Sequence, residues 1–225
     1  MNRLFFVAAI WFAFCIPLCA QEYPQVEIYG GYQLIVDDEL AKDITYFSST
    51  STMDDYKRLN GFRAAMEYNI RRWIGIVGEV SHGRTSPILS NYEEFAPYPR
   101  SSAEYQRKQT SFLIGTRFSY RGERIRVFGH VLLGGNSQDF GYTFIETYED
   151  GFRNVYERSL RNTAFATALG GGLDISLGKL ISIRPVQLDL LSTYGSYTDV
   201  HHGDHIQHQL RYSGGVIFKL SSPKH

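Results

Sequence analysis

From Gln25 to Leu220 one pattern narrows what this chain can become: side chains alternate with a period of two, apolar on one parity and polar or charged on the other. Val26, Ile28, Gly30, Tyr32 and Leu34 share a parity opposed by Glu27, Tyr29, Gly31 and Gln33. Phe62, Ala64, Met66, Tyr68 and Ile70 oppose Arg63, Ala65, Glu67 and Asn69, and Ile74, Ile76, Gly78 and Val80 oppose Gly75, Val77, Glu79 and Ser81. The same rule holds for Phe112 to Tyr120 against Ser111 to Ser119, for Ile125 to Leu133 against Arg126 to Leu132, and for Phe165 to Ile175 against Ala166 to Ser176. It closes with Leu210, Tyr212, Gly214, Val216, Phe218 and Leu220 against Gln209, Arg211, Ser213, Gly215, Ile217 and Lys219. Successive side chains on a strand point to opposite faces, so this period specifies two-faced strands and excludes amphipathic helices.

One segment breaks step. Ile181 and Ile183 share a parity, but after Pro185 the apolar residues are Val186, Leu188 and Leu190, so one extra residue has entered. A bulge at Arg184-Pro185 accounts for the slip and for the proline within a strand. Eight strands result, and their connections alternate in length. Arg71-Arg72, Arg121 to Arg124 and Gly178-Lys179 are short turns, while 36–58, 84–106, 136–162 and 194–206 read as long loops. Short turns at one rim and long loops at the other are expected of an all-β, eight-stranded antiparallel up-and-down transmembrane β-barrel.

The ends fit an exported protein. Arg3, the apolar stretch Leu4 to Phe14 and Ala20 before Gln21 have the form of a secretory signal peptide, so residues 1–20 are expected to be removed and 21–225 to form one barrel domain. Cys15 and Cys19 both fall in the signal, and Leu18 before Cys19 argues against lipidation. After residue 20 no apolar run approaches the 18 or so residues of a membrane helix. With 23 basic and 23 acidic residues the chain carries no net charge, and no concentrated basic surface suggests a nucleic-acid partner.

The two faces then have to be assigned. A soluble barrel hides its apolar parity, whereas a membrane barrel shows it to lipid and keeps the polar one within. Tyr68, Phe118, Tyr120, Phe218 and Trp73 fall near the short-turn rim, and Tyr32, Phe62, Phe112, Phe165 and Tyr212 fall toward the long loops. Two rows of rings match the interfacial girdles of a membrane barrel, and a soluble core has no reason to sort its rings to both ends. The polar parity is therefore expected inside, with Glu27, Arg63, Glu67, Glu79, Arg117, Asp174, Arg184, Asp189 and Arg211 as an interior charge network, joined by Arg126 and Lys219. Unpaired charges in a narrow lumen are costly, so a paired plug is expected, with a gated narrow pore as its functional alternative.

The motifs Arg126-Val-Phe-Gly-His-Val-Leu-Leu-Gly134, Ala168-Leu-Gly-Gly-Gly-Leu-Asp174, Ile183-Arg-Pro-Val-Gln-Leu-Asp189 and Leu210-Arg-Tyr-Ser-Gly-Gly-Val-Ile-Phe218 give the chain its family likeness. It resembles the small outer-membrane barrels of the OmpA transmembrane-domain and OmpX type, the outer membrane protein beta-barrel domain family. The resemblance implies the outer membrane of a Gram-negative bacterium, outer-membrane lipid and lipopolysaccharide as surroundings, and the barrel assembly machinery during biogenesis. In this chain Phe218 is followed by Lys219, Leu220 and a polar tail, where family members often end on an aromatic residue.

Candidate chemistry is sparse. His201, His202, Asp204, His205 and His208 crowd the last long loop and have the donor types for zinc, copper or nickel, but lack a regular ligand spacing. Asp37, Asp38, Glu39, Asp54 and Asp55 could attract calcium or bridge lipopolysaccharide, against the plainer reading of a solvated loop. Ser81-His82 is the nearest serine-histidine pair, but adjacent strand residues face opposite sides, so neither an enzyme nor a cofactor is expected. Tyr142, Phe144, Val155 and Tyr156 flank Asp150-Gly151, a hairpin signal that should carry two strands beyond the membrane as a ribbon. The reading is a structural or surface-interaction protein acting through its outer loops, its loop partner not named by the residues. A narrow small-solute porin and a soluble ligand-binding eight-stranded barrel are the alternatives.

Overall fold

A computed structural model describes residues 23–37, 58–85, 88–92, 100–148, 152–195 and 206–220. The segment expected as a signal peptide, Asp150-Gly151 and most of the long loops lie outside the described residues. Among the described residues there are nine strands: β1 Val26–Val36, β2 Arg58–Arg71, β3 Ile74–Arg84, β4 Ile88–Tyr92, β5 Arg100–Arg121, β6 Ile125–Thr147, β7 Arg153–Ser176, β8 Ile181–Tyr194 and β9 Ile206–Lys219. All pair antiparallel with sequence neighbours, and two further pairings, β1 with β9 and β3 with β5, close eight of them into a ring. β4 stands outside that ring, paired only to the upper part of β5 from Ser101 to Tyr105.

The short turns close on their own backbones, as in Gly122 N–H to Ile125 O at 2.8 Å and Gly178 N–H to Ile181 O at 3.2 Å. The bulge expected near Pro185 is present in β8. Between Arg184 and Gln187 it advances three residues while β9 advances two, from Gly215 to Ser213, and β7 sees the same slip between Leu173 and Ile175. The extra residue keeps Arg184 and Gln187, which differ in parity, both pointing inward and buried.

The face assignment holds. Phe112, Ile114 and Leu169 on the outside are 63%, 60% and 62% exposed, while Arg63, Arg117, Arg184 and Arg211 inside are at most 1% exposed. Apolar residues also line the interior, where Tyr29, Val77, Leu113, Leu132, Leu191 and Ile217 fill the space between the charged groups. An eight-stranded ring is just wide enough for side chains to fill it, so the lumen is the core.

The connection 84–106 corrects the expectation of a plain long loop. β4 and the first residues of β5 form a hairpin there, and β5 starts at Arg100. That stretch of sequence lacks a clean apolar parity, so no face marked it as strand.

Candidate functional site

Two regions have the definition of a site: the interior of the ring and the ribbon that β5, β6 and β7 raise above it.

Inside, the charges lie in layers. Nearest the short turns, Arg126 Nε donates to Asp174 Oδ2 at 2.7 Å, and its Nη1 also contacts Glu27 and, at 3.3 Å, Glu67. Arg117 Nη1 donates to Glu67 at 2.7 Å, Arg121 Nη1 to Glu27 at 3.1 Å, and Arg184 Nε to Asp174 at 2.6 Å. Phe128 sits among these guanidinium groups, with Arg117 and Arg184 each 4.3 Å from its ring centre. Nε and Nη2 of Arg117 have no hydrogen-bond acceptor, so the ring face takes the place of one. Room for the ring comes from Gly172, where a Cβ would stand 2.7 Å from Phe128 Cζ and 2.6 Å from the Val186 carbonyl oxygen.

At mid-height Arg63 bridges Glu79 and Asp189, and Arg211 Nη2 meets Glu79 at 2.8 Å and Asp189 at 3.1 Å. His130 Nε2 approaches Asp189 at 2.9 Å. Gln187 joins the two layers, accepting from Arg184 at 2.8 Å and donating to Asp189 at 3.1 Å. Every residue of the expected network, Glu27, Arg63, Glu67, Glu79, Arg117, Asp174, Arg184, Asp189 and Arg211, is therefore inside and paired. The space enclosed by Glu27, Tyr29, Glu67, Arg117, Arg126 and Arg184 is too narrow to hold a water molecule.

Above that the lumen changes character. Gln109 and Gln209 pair their amides at 2.8 Å, Asn136 donates to Thr193 at 3.0 Å, and Gln138 donates to Gln207 at 2.9 Å. A single ion pair, Arg107 to Asp37 at 2.8 Å, caps the layer, and Phe140 lies 5.3 Å from the Arg107 guanidinium.

Asp37 is therefore a correction: it is a buried member of the lumen and not a solvated loop acid. Asp37 lies beyond Leu34, and its partner Arg107 ahead of Ser111, so both fall outside the stretches whose alternation marks a face. Among the others of that acidic group, Asp38, Glu39, Asp54 and Asp55 lie outside the described residues, as do His201, His202, Asp204 and His205. His208 faces outward on β9 with Nδ1 2.9 Å from Ser192 Oγ. Lys219 is only half-buried, at the lower rim, with Nζ 2.9 Å from Ser176 Oγ. Ser81 and His82 point to opposite faces: Ser81 is in the lumen 2.6 Å from Ser111 Oγ, and His82 is 2.9 Å from Thr110 Oγ1 on the outer side.

The ribbon continues three strands without a break in register, from Arg121↔Arg126 up to Arg100↔Thr147 between β5 and β6. β7 follows β6 to Arg153, whereas β8 leaves it at the rung Phe165↔Tyr194. From Arg153 to Ala164 the outer side of β7 has no strand beside it among the described residues. Polarity changes sides along the way. Above the rung of Phe112, Gly135 and Phe165, the outward positions become Thr110, Ser137 and Thr163, then Lys108, Asp139 and Arg161. On the opposite face, which continues the lumen wall, Phe140, Tyr142, Phe144, Tyr156 and Leu160 replace the amides, with Tyr142, Tyr156 and Leu160 exposed. Outside, a cleft of about 400 Å³ opens among Glu104, Gln106, Gly141, Thr143, Glu157 and Ser159. Asp139 is held below the usual carboxylate range chiefly by the hydrogen bond from Ser159 Oγ, at 2.7 Å, with Arg161 adding to it.

No family model matches the chain, and no curated protein does. Among solved structures it is similar to Ail, the attachment invasion locus protein of Yersinia pestis, at 16% identity and a TM-score of 0.46, over 87% of this chain and 98% of that one. It is also similar to Neisserial surface protein A, at 8% identity and a TM-score of 0.46 over 87% and 97%, and to the outer membrane protein OprG of Pseudomonas aeruginosa, at 12% and 0.43 over 88% and 97%. The eight-stranded closure itself stands on the strand register.

Proposed function

We propose that this chain is an integral outer-membrane barrel whose role is contact at the cell surface, made by the β5–β6–β7 ribbon, while its lumen is a support and not a conduit. The supporting observation is the exchange of polarity along three continuous strands. In the ring the exposed side is apolar and the hidden side charged; in the ribbon the outward side turns polar. An apolar belt around a charged core suits lipid, and a strand pair that becomes hydrophilic outside at one height marks where lipid ends. Beyond that height the edge of β7, which has no strand beside it among the described residues, and the exposed Tyr142, Tyr156 and Leu160 offer what β-strand addition uses. Assembly would need the barrel insertion machinery, and no catalytic or cofactor-dependent role is read from the residues.

The narrow-porin alternative has against it a lower lumen without space for a water molecule. Electrophoresis of an outer-membrane fraction, unheated against boiled, tests the membrane reading. A heat-dependent mobility shift supports it, and a soluble periplasmic protein without a shift would restore the ligand-binding soluble barrel. Planar-bilayer recording separates the first alternative, since steady large channels would remove the plug.

A further inference from the structure

One rung of the outer wall breaks the apolar belt from within. Thr167 of β7, Ser192 of β8 and His208 of β9 face one another across three adjacent strands. The rung below is Leu169, Leu190 and Leu210, and the rung above is Phe165, Tyr194 and Ile206, with the Phe165 and Tyr194 rings 5.8 Å apart. All six flanking side chains are exposed on the outside of the ring. The other outward histidine pair, His82 with Thr110, stands instead where the belt ends, because the next rung up is Asn60, Arg84 and Lys108. A lipid-facing wall has no use for three polar side chains with apolar rungs on both sides, since polar groups taken from water cost free energy.

The rung has the order of a hydrolytic site. His208 Nδ1 lies 2.9 Å from Ser192 Oγ, within reach of the hydroxyl proton. His208 is exposed, and Ser192, whose outward neighbours along the strand are Leu190 and Tyr194, is nearly covered. Thr167 faces Ser192 from the side away from the histidine, and its Oγ1 is 3.3 Å from the Tyr194 hydroxyl. Along the chain the pair is invisible. Ser192 and His208 are 16 residues apart and meet only when β8 pairs with β9.

We infer that Ser192 and His208 are the nucleophile and base of an esterase acting on acyl esters of outer-leaflet lipids, resting on the membrane reading above. The height selects the substrate. A row of interfacial rings marks the headgroup level, and acyl esters lie just beneath it, where this rung stands. Ser192 Oγ adds to the ester carbonyl carbon while its proton passes to His208 Nδ1; the ester C–O bond then breaks, and the proton goes to the departing alcohol oxygen. Water, entering from the rim one rung above, adds to the acyl-serine and gives a proton to His208. The acyl–Oγ bond breaks, the proton returns to Ser192, and a fatty acid leaves. The Thr167 and Tyr194 hydroxyls donate to the carbonyl oxygen as charge grows on it, since backbone N–H groups at this height are engaged in the strand ladder.

The test uses the full chain refolded into vesicles of ether-linked lipid, which has no acyl ester, doped with either lipid A or phosphatidylglycerol. Mass spectrometry reads loss of an acyl chain and release of fatty acid. The wild type should release fatty acid from at least one of them, and the lipid consumed names the source as glycolipid or phospholipid. Ser192→Ala and His208→Gln should each slow release at least about a hundredfold, whereas His82→Gln should leave it unchanged. An alkyl fluorophosphonate should label Ser192 in the wild type and not in His208→Gln. No release from either lipid overturns the esterase. Release that persists in Ser192→Ala, labelling that persists in His208→Gln, or an equal loss with His82→Gln overturns the assignment to this pair. A heat-dependent gel shift of each variant confirms folding. Failure of the wild type to enter a membrane at all would instead bring down the reading on which the esterase rests.

Discussion

The same three strands build the wall of the ring and the ribbon above it, yet the two regions are opposite in almost every respect but register. β6 shows Val127, Val131 and Leu133 outward in the ring and Asp139 and Thr143 outward in the ribbon. Inward, Arg126, His130 and Asn136 give way to Phe140, Tyr142 and Phe144. Backbone pairing is blind to this change, so the surroundings of each face and not the strand select its side chains. The difference also separates duties: among the described residues the ring holds most of the buried ion pairs, Arg107–Asp37 lies where ring and ribbon meet, and the ribbon holds the open edge of β7.

The largest expected effect breaks the ring alone. Asp189→Ala leaves Arg63 and Arg211 without a shared carboxylate in a closed lumen, and removing one partner of a buried pair costs about 3–5 kcal/mol. Urea unfolding in lipid vesicles should show the loss, and a ribbon-localised change without global destabilisation would contradict the division. Next comes Phe128→Leu, which withdraws the ring face from Arg117 and Arg184 and should cost about 1–2 kcal/mol in the same measurement. A neutral result would mean that neighbouring acceptors serve those guanidinium groups equally well.

The ribbon should respond in the other currency. Tyr142→Ser with Tyr156→Ser should leave unfolding within about 0.5 kcal/mol of wild type, as surface changes do, while lowering adhesion of cells displaying the protein to a surface that the wild type binds. Destabilisation of the whole barrel would sink the claim that the regions are independent. The smallest effect concerns pH. Because Asp139 titrates below its ordinary value, its contribution to the ribbon is complete above about pH 4 and is lost as pH falls through the lowered value. Amide exchange near Ser159 should speed up modestly on acidification in the wild type and not in Asp139→Asn.

Much of this was legible in the residues. Parity alone assigned Glu27, Arg63, Glu67 and Asp189 to one face and Phe62, Met66 and Phe112 to the other, because a one-residue slip would have put charge into the apolar belt. The break at Pro185 likewise betrayed its bulge. The hairpin of β4 with β5, the membership of Asp37 and Arg107 in the lumen, and the seat of Phe128 between two arginines were not legible. The last two depend on neighbours contributed by distant parts of the chain, and the hairpin lacks the apolar parity that marks the ring strands.

By itself, then, the sequence determined the number of ring strands, their faces and their short turns, since these follow from local periodicity and turn chemistry. Only the tertiary structure decided which carboxylate serves which arginine. Arg126 on β6 reaches Glu27 on β1, 99 residues away and on the far side of the ring, and Gln109 reaches Gln209 across the same distance of strands. Such pairs come into reach when β1 meets β9 and the sheet closes, and periodicity along a strand carries no record of what faces it across the lumen.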